Sequence, residues 1–316
     1  MAQEVSVIIP HQSSMRSPGA AADVRKLRRK SPRAGHFVPK QRLYAFSLSL
    51  PPLVWQLLFL VFPVVFLLVI TFWSVEFFRL KPDFTFANWA FIYTRGYFYD
   101  AYALTFGMAI LTAVVISAIA FPCAYAIAFK FRSSARQLAL LLLIIPFFTS
   151  YLVRVYAWQV VLADSGIVNM LLKWLSLPPV AMLNTLGGTL IGYATLCLPL
   201  VTLLQLLSLI YVDRNLVEAS HNLGCGRLGT VWHVIIPSAR IGIMIAALFC
   251  FILTFGDFVS PLYLGGGLRT VLSTVIIDTV KSGQQWPQAA VVAVTMVVTL
   301  LAVALAAIWF AYRRPK

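Results

Sequence analysis

Three glycines in the run GCGRLG, Gly224 to Gly229, have the G-x-G-x-x-G spacing with which a chain can enclose the pyrophosphate of a dinucleotide. That chemistry requires a strand before the glycines, a helix after them and an acidic ribose ligand about 20 residues further on. The upstream segment DRNLVEASHNL instead has apolar residues at helical spacing, with Asp213 suited to cap the helix. The first acid downstream is Asp257. The spacing therefore does not indicate a nucleotide site, and the glycines need another explanation.

Other residue types that carry out chemistry are present but are not grouped for it. The sequence has no C-x-x-C pair, no H-E-x-x-H motif and no evident nucleophile–base pair. The run GGGLRT at Gly265–Thr270 lacks the lysine of a nucleotide-binding P-loop. We therefore expect a chain that is not an enzyme and that has no metal site or cofactor of its own. The cysteines, which we expect to be buried and unreactive, are Cys123, Cys197, Cys225 and Cys250.

The composition indicates a protein built for lipid. Of the 316 residues, 60% are hydrophobic and only 11% are charged, with a mean hydropathy of +0.87, whereas soluble domains carry about 25% charged residues. About 20 apolar residues cross a bilayer core of about 30 Å. Six stretches meet that length and predict an all-α integral membrane protein with six transmembrane helices. They are Leu53–Trp73, Leu104–Phe129, Leu138–Leu162, Leu186–Ile210, Ile236–Phe258 and Ala289–Tyr312.

Two features modify this pattern of spans. Prolines inside a span should kink it, which membrane helices tolerate when neighbouring groups satisfy the freed carbonyls. The stretch Ile167–Leu177 is too short to cross, so we expect a surface or re-entrant helix there. The prolines inside the predicted spans are Pro63, Pro122, Pro146 and Pro199.

Most of the Lys and Arg residues that give the net charge of +15 fall on one side of the predicted spans. Residues 16–42 hold nine Lys and Arg among Ser, Pro, Gly and Ala, so we expect residues 1–42 to be a disordered basic cytoplasmic tail drawn to anionic membrane lipid, and not to nucleic acid. With both termini in the cytoplasm, 18 Lys and Arg lie inside and seven lie outside. The positive-inside rule therefore predicts cytoplasmic termini.

The loop 211–240 between the fourth and fifth spans carries a family pattern. Its letters E-A-S, three residues, G, nine residues and V-I-I-P resemble the E-A-A-x3-G-x9-I-x-L-P loop of ABC importer permeases, with small or conservative changes at Ser220, Val234 and Ile236. Gly224 can adopt a positive φ at a helix end, so it predicts a hinge between two short helices. We expect Gly226 and Gly229 to loosen that turn and Pro237 to mark the start of span five.

The resemblance extends over residues 53–300 and narrows the branch. The runs PFFTSYLVRVYAWQVVLADSGIVNMLL (146–172), LPLVTLLQLLSLIYVDRNLVEAS (198–220) and FGDFVSPLYLGGG (255–267) are similar to permeases of spermidine/putrescine-type importers. A type I, binding-protein-dependent importer fold is implied for a permease domain at 43–316, in the bacterial inner membrane. The resemblance also implies which residues couple to a separate ATPase: Glu218, Ala219, Ser220, Gly224, Ile236 and Pro237.

The same resemblance implies the function and the partners. A cytoplasmic ATPase dimer would bind ATP and Mg, a second and different permease subunit would complete the path, and a periplasmic or extracellular binding protein would deliver a small cation such as a polyamine. Two alternatives stay open. One is another small solute, such as an opine-like amino-acid derivative. The other is a self-sufficient secondary transporter or channel, which would need inverted repeats or several membrane-buried acids.

Ionisable residues at membrane depth are costly, so they are candidates for the solute path. A carboxylate flanked by aromatic rings would suit an ammonium group, whereas the alternative role for Asp257 is a helix cap or an internal pair. For Arg154 we expect a pair with an acid such as Asp164, or a place at the outer gate. The candidate path or gate residues are Asp257, Phe255, Phe258, Tyr263, Arg154, Tyr156 and Trp158.

Overall fold

The structure, a computed structural model, describes residues 39–267 and 270–312, which are almost entirely helical. Six helical segments in those ranges are long and apolar enough to cross a membrane, which is the predicted number, although the third, Tyr151–Trp174, combines two short helices and replaces the predicted Leu138–Leu162. They are Leu48–Ile70, Gly96–Lys130, Tyr151–Trp174, Leu186–Ile210, Arg227–Gly256 and Trp286–Tyr312. The all-α class and the number of spans are thus confirmed, and the orientation of the termini stays a prediction.

The chain divides into two units, residues 1–62 and 63–316. Helix α1 (Pro39–Gln56) continues through a π-helical turn, Leu57–Val61, into α2 (Phe62–Ile70). The helix begins at Pro39, so residues 39–42 of the predicted tail are helical. The rest of that tail, residues 1–38, lies outside the described residues.

A β-hairpin follows α2. Strands β1 (Ser74–Glu76) and β2 (Arg79–Lys81) pair antiparallel, and the two-residue turn between them has a positive φ at both Phe77 (49°) and Phe78 (62°). Such a turn matches the twist of the strands but normally contains Asn or Gly, because bulky residues are strained there. Both rings are exposed, by 96% and 75%. The hairpin therefore holds two aromatic side chains in solvent on a strained turn.

The remaining elements are joined by short turns. A second π-helical turn, Ala126–Lys130, extends α4, a 3-10 turn, Ile145–Phe148, ends α5, and a third π-helical turn, Val231–Ile235, joins α10 to α11. The helices are α3 Ala87–Tyr93, α4 Gly96–Tyr125, α5 Ser133–Ile144, α6 Tyr151–Leu162, α7 Ile167–Trp174, α8 Leu186–Ile210, α9 Arg214–Asn222, α10 Arg227–Thr230, α11 Ile236–Gly256, α12 Val259–Tyr263, α13 Leu272–Gly283 and α14 Trp286–Tyr312.

The core of the second unit lies where α4, α8 and α11 pack together. Small side chains allow these backbones to approach closely, as is usual between membrane helices. At Gly242 an added Cβ would collide with Ser208 on the neighbouring helix. Cys197 and Cys250 are buried there, but Cys123 is exposed, so the prediction of buried thiols is wrong for Cys123.

The predicted third span, Leu138–Leu162, is two helices instead of one. The chain is extended at Thr149 (ψ 139°) and Ser150 (ψ 129°), between the turn that ends α5 and the start of α6. Pro146 cannot donate a backbone hydrogen bond, and the Thr149 hydroxyl donates to the Pro146 carbonyl (2.9 Å), which closes the preceding turn. Hydropathy falls at the break, where Pro146 is followed within four residues by the polar Thr149 and Ser150, but a count over the whole predicted span averages out this local signal.

The short helix expected at Ile167–Leu177 is present as α7, which ends at Trp174. It is separated from α6 by residues 163–166. The Asn169 side chain ties it to the chain beyond, because Nδ2 donates to the Val180 carbonyl (3.1 Å) and Oδ1 accepts from the Val180 N–H (2.9 Å). The amide pair fixes the return of the chain toward α8.

Candidate coupling loop and solute path

The first helix of the loop 211–240, α9, has a defined start and end. Asp213 accepts a hydrogen bond from the Asn215 N–H (2.9 Å), which confirms it as the N-cap. At the other end Gly224 has φ +80°, the Gly224 N–H donates to the His221 carbonyl (2.9 Å) and the Cys225 N–H donates to the Ser220 carbonyl (3.0 Å). This is a Schellman motif. The predicted role of Gly224 at a helix end is therefore confirmed.

The other two glycines do not loosen the turn as expected. Gly226 is extended (φ −67°, ψ 163°) and precedes α10. Gly229 lies inside α10, where an added Cβ would stand 2.7 Å from the Cys225 sulfur. Gly229 thus permits close packing, and the G-x-G-x-x-G spacing combines a helix cap, a helix start and a close contact.

A side-chain bond joins the two helices of the loop. The buried hydroxyls of Ser220 on α9 and Thr230 on α10 lie 3.0 Å apart. Ser220 is one of the positions at which the sequence differs from the permease pattern, and an alanine there could not make this contact. The serine at this position therefore adds a side-chain hydrogen bond that holds α9 against α10.

The loop does not contain a second, separate helix before span five. The backbone stays helical from Arg227 to Gly256, with a π-helical turn at Val231–Ile235. Pro237 has no N–H to donate to the His233 carbonyl, and a wider helical turn here accommodates the missing bond. Ile236 and Pro237 therefore lie within one continuous helix, which corrects the expectation that Pro237 begins the span.

The loop presents an acid and several apolar side chains to solvent. Glu218 and Ala219 are exposed on α9, and no basic side chain within residues 48–267 and 270–312 forms an ion pair with Glu218. Leu223 (88% exposed) and Leu228 (78% exposed) flank the turn at Gly224. The sequence analysis missed these two leucines, although large apolar residues in a polar loop are the signal for them. The surface is suited to bind a partner with a basic group beside an apolar pocket.

At the opposite end of the spans, Asp257 caps α12. Its Oδ1 accepts from the Val259 N–H (3.1 Å), and its Oδ2 accepts from the Ser260 N–H (3.0 Å) and the Tyr151 hydroxyl (2.8 Å). The Tyr151 and Ser260 hydroxyls are also in hydrogen-bond contact. The carboxylate has the capping role that the sequence left open. Tyr151 was not predicted, although its position three residues before Arg154 places both on one helix face.

Arg154 does not pair with Asp164 as expected. Its Nη1 donates to the backbone carbonyl of Thr195 on α8 (2.9 Å), and its guanidinium lies 5.8 Å from the centre of the Tyr151 ring. Thr195 precedes Pro199 by four residues, so its carbonyl lacks the usual helical donor. A charged group satisfies that carbonyl, at a typical gain of about 1.5–3 kcal/mol.

The predicted aromatic residues fall into separate environments. Tyr156 and Tyr263 are neighbours, with ring centres 5.0 Å apart, and Tyr156 and Phe258 are exposed. Trp158 is half-buried in the cluster around Val155 and Leu264. Phe255 is fully buried against Phe106 and Phe251, so it is not exposed with Tyr156 and Phe258.

A cavity of about 420 Å³ opens at this same end, where α8 begins. Its polar lining is neutral, with Asn184 in a left-handed backbone conformation (φ 60°). No part of the sequence pattern indicated this cavity. Its lining residues are Leu104, Met108, Asn184, Thr185, Leu186, Gly187, Thr189, Tyr193, Pro261, Gly265 and Val271.

Six apolar helical segments and an exposed helical loop are the features of a multi-pass membrane protein. Residues 117–310 match the family described as binding-protein-dependent transport system inner membrane component. The chain belongs to this family, so it is a type I ABC importer permease of the inner membrane, a non-catalytic class of subunit. The matched segment contains both the loop and the Asp257 site.

Relatives and solved structures agree with this family. The chain is 27% identical over 223 residues to the spermidine/putrescine transport system permease protein PotB of Escherichia coli (strain K12), covering 70% of this chain and 80% of that protein. It is 28% identical over 247 residues to the inner membrane ABC transporter permease protein YdcU of the same organism, covering 73% and 79%. A chain of the bacterial alginate ABC transporter, crystallised with an alginate pentasaccharide-bound periplasmic protein, has the same fold (TM-score 0.69, 18% identity, 87% and 96% covered).

Proposed function

We propose that this permease moves a small cation, such as spermidine or putrescine, into the cytoplasm. The observation that carries the choice of solute is the similarity to a spermidine/putrescine permease over 70% of the chain. In this proposal ATP and Mg are bound by a cytoplasmic ATPase dimer, and a different permease subunit forms the other half of the path. A periplasmic or extracellular binding protein delivers the solute. Both termini of the chain lie in the cytoplasm.

The loop 211–240 is the proposed site of ATPase coupling. Its two helices are held together by the Ser220–Thr230 contact and by the Schellman motif at Gly224. An ATPase docked on Glu218 would therefore move α9 and α10 together. Because the backbone is helical from Arg227 to Gly256, that movement would reach span five directly.

The proposed path passes Tyr156 and Phe258, which are exposed, and Tyr263, which is half-buried beside Tyr156. Ring faces attract ammonium groups through cation–π contact. The Asp257 carboxylate lies on the adjoining helix cap with its oxygen atoms engaged by three donors. In this proposal Asp257 fixes the start of α12, which carries Tyr263, and the aromatic rings meet the solute.

The docking role is tested by reversing the charge of Glu218. We expect Glu218→Lys to abolish co-purification of the ATPase and to reduce solute uptake by at least tenfold, because an exposed acid that meets a basic partner is replaced by a like charge. The measurement is affinity purification of the tagged chain in mild detergent, followed by mass spectrometry and an uptake assay.

The matched control is Asp278→Lys, which reverses an exposed acid on α13, outside the loop. It should leave the ATPase bound. Retained ATPase and retained uptake in Glu218→Lys would contradict the docking role. A chain that purifies without any ATPase, before any mutation, would also count against the docking role. Competition of labelled spermidine uptake by unlabelled amines and by carboxylated solutes tests the solute class separately.

A further inference from the structure

Span four contains a proline that cannot donate a backbone hydrogen bond, and a side chain from another span supplies a donor in its place. Pro199 lies within α8 and has no N–H, so the Thr195 carbonyl one turn earlier has no donor from its own helix. In lipid an unsatisfied carbonyl cannot turn to water, and each such group is costly. The Arg154 Nη1, from α6, donates to this carbonyl at 2.9 Å.

The depth of this contact is unusual for a charged side chain. Thr195 lies near the middle of α8, so the guanidinium of Arg154 is drawn to membrane depth. Its Nε is buried without a hydrogen-bond partner among the described residues. Charged groups at such depth are retained where they hold a function. A backbone carbonyl is a neutral acceptor, so this contact holds Arg154 against α8 without an acidic side chain as its partner.

The same arginine adjoins the network at the end of span five. Its guanidinium lies over the Tyr151 ring at 5.8 Å, and the Tyr151 hydroxyl donates to Asp257 Oδ2 at 2.8 Å. Asp257 in turn caps α12 through two backbone N–H groups. A continuous set of contacts thus leads from the proline of span four to the short helix after span five.

We propose that Arg154 is a positioning residue that supplies the hydrogen bond removed by Pro199 and so links the proline-containing turn of span four to α12 through Tyr151 and Asp257. Arg154 does not touch the solute. Its effect on transport rests on the proposed function, whereas its bond to Thr195 does not. The two claims are therefore tested by different readouts.

The structural claim is tested by restoring the missing N–H. In the Pro199→Ala background the Thr195 carbonyl regains a donor from its own helix, so Arg154→Gln should cost little. In the native background Arg154→Gln should lower the thermal midpoint of the purified full-length protein by several degrees. If Arg154→Gln does not accumulate in the membrane, recovery of its level in the Pro199→Ala background is the readout. Equal losses in both backgrounds would overturn the proposal.

Two controls make the comparison specific. Pro122→Ala restores an N–H in α4, to a carbonyl that Arg154 does not hold, so it should not reduce the effect of Arg154→Gln. Arg95→Gln removes an arginine that lies over the Phe91 ring (4.3 Å), and its effect should be the same in the native and Pro199→Ala backgrounds. Rescue by Pro122→Ala, or a Pro199-dependent effect of Arg95→Gln, would show a general gain in helix stability and overturn the assignment.

The effect on transport is read from uptake kinetics in cells. A positioning residue should change the maximal rate, so Arg154→Gln should lower maximal uptake about tenfold with an unchanged KM, and Pro199→Ala should restore part of it. A raised KM with no recovery in the double variant would show that Arg154 contacts the solute. Because the thermal comparison needs neither solute nor ATPase, failure of the importer proposal would leave its result intact.

Discussion

Single residues at the loop and at the Asp257 site act mainly through the backbone. Gly224 supplies a left-handed φ, Asp213 and Asp257 cap short helices, and Arg154 satisfies a carbonyl. None of these functions depends on a reactive group. These residues therefore act by placing helices.

Substitution at Gly224 measures the value of its conformation. An added Cβ at Gly224 would meet no atom within 4 Å, so Gly224→Ala should destabilise the protein only through the left-handed backbone, by about 1 kcal/mol. Thermal unfolding of the purified chain would show the loss. Gly226→Ala is the control, because Gly226 is extended and also faces open space. Equal stability of the two variants would contradict the Schellman assignment.

The elements were predictable from the sequence where hydropathy or a local motif determines them. Six apolar stretches gave six spans, and the loop pattern placed Gly224 at a helix end. The break at Thr149–Ser150 was not predicted, since Pro146, Thr149 and Ser150 were counted within one long apolar stretch, although a proline followed by Thr and Ser is a local signal for a break. Nor was the Arg154 contact, because the freed carbonyl of Thr195 is on a different span. Such pairings depend on which helices become neighbours, and one sequence does not specify that.

Close packing of α8 against α11 gives a prediction at the scale of elements. Gly242→Ala should destabilise the protein by about 1–3 kcal/mol, because its Cβ would collide with Ser208 in a packed interior. Ser208→Gly should recover part of this loss by removing the opposing side chain. The measurement is a double-mutant cycle in thermal stability.

Gly107→Ala serves as the control for this cycle. Gly107 lies in α4, and an added Cβ there would meet nothing within 4 Å. Alanine is a better helix former than glycine, so Gly107→Ala should be neutral or slightly stabilising. If Ser208→Gly gave no recovery in the Gly242→Ala variant, the proposed collision between the two helices would be wrong.

At the scale of the whole molecule, the proposed function depends on the direction in which the chain crosses the membrane. The loop 211–240 and the Asp257 site lie at opposite ends of α11. The positive-inside rule places the loop in the cytoplasm, and it then places the β-hairpin and α12 outside. This orientation is the condition for an ATPase to reach the loop.

Cysteine labelling tests this orientation. A membrane-impermeant thiol reagent should label Phe77→Cys in intact spheroplasts, because that position is at the exposed tip of the hairpin. It should label Leu223→Cys only in inside-out vesicles. The parent chain, with its own four cysteines, gives the background signal. Labelling of Leu223→Cys from outside would show that the chain crosses the membrane in the opposite direction. A cytoplasmic ATPase could then not dock on this loop.

The uninterrupted backbone from Arg227 to Gly256 has a mechanical consequence. Thirty helical residues span about 45 Å at about 1.5 Å each. One end of this helix is joined to α9 by the Ser220–Thr230 hydrogen bond, and the other end stops directly before Asp257. A continuous helix passes an axial displacement from one end to the other instead of absorbing it by bending. A displacement of the loop would therefore also move Asp257 at the far face of the membrane. The π-helical turn at Val231–Ile235 is the part of this helix that could deform and absorb some of the movement.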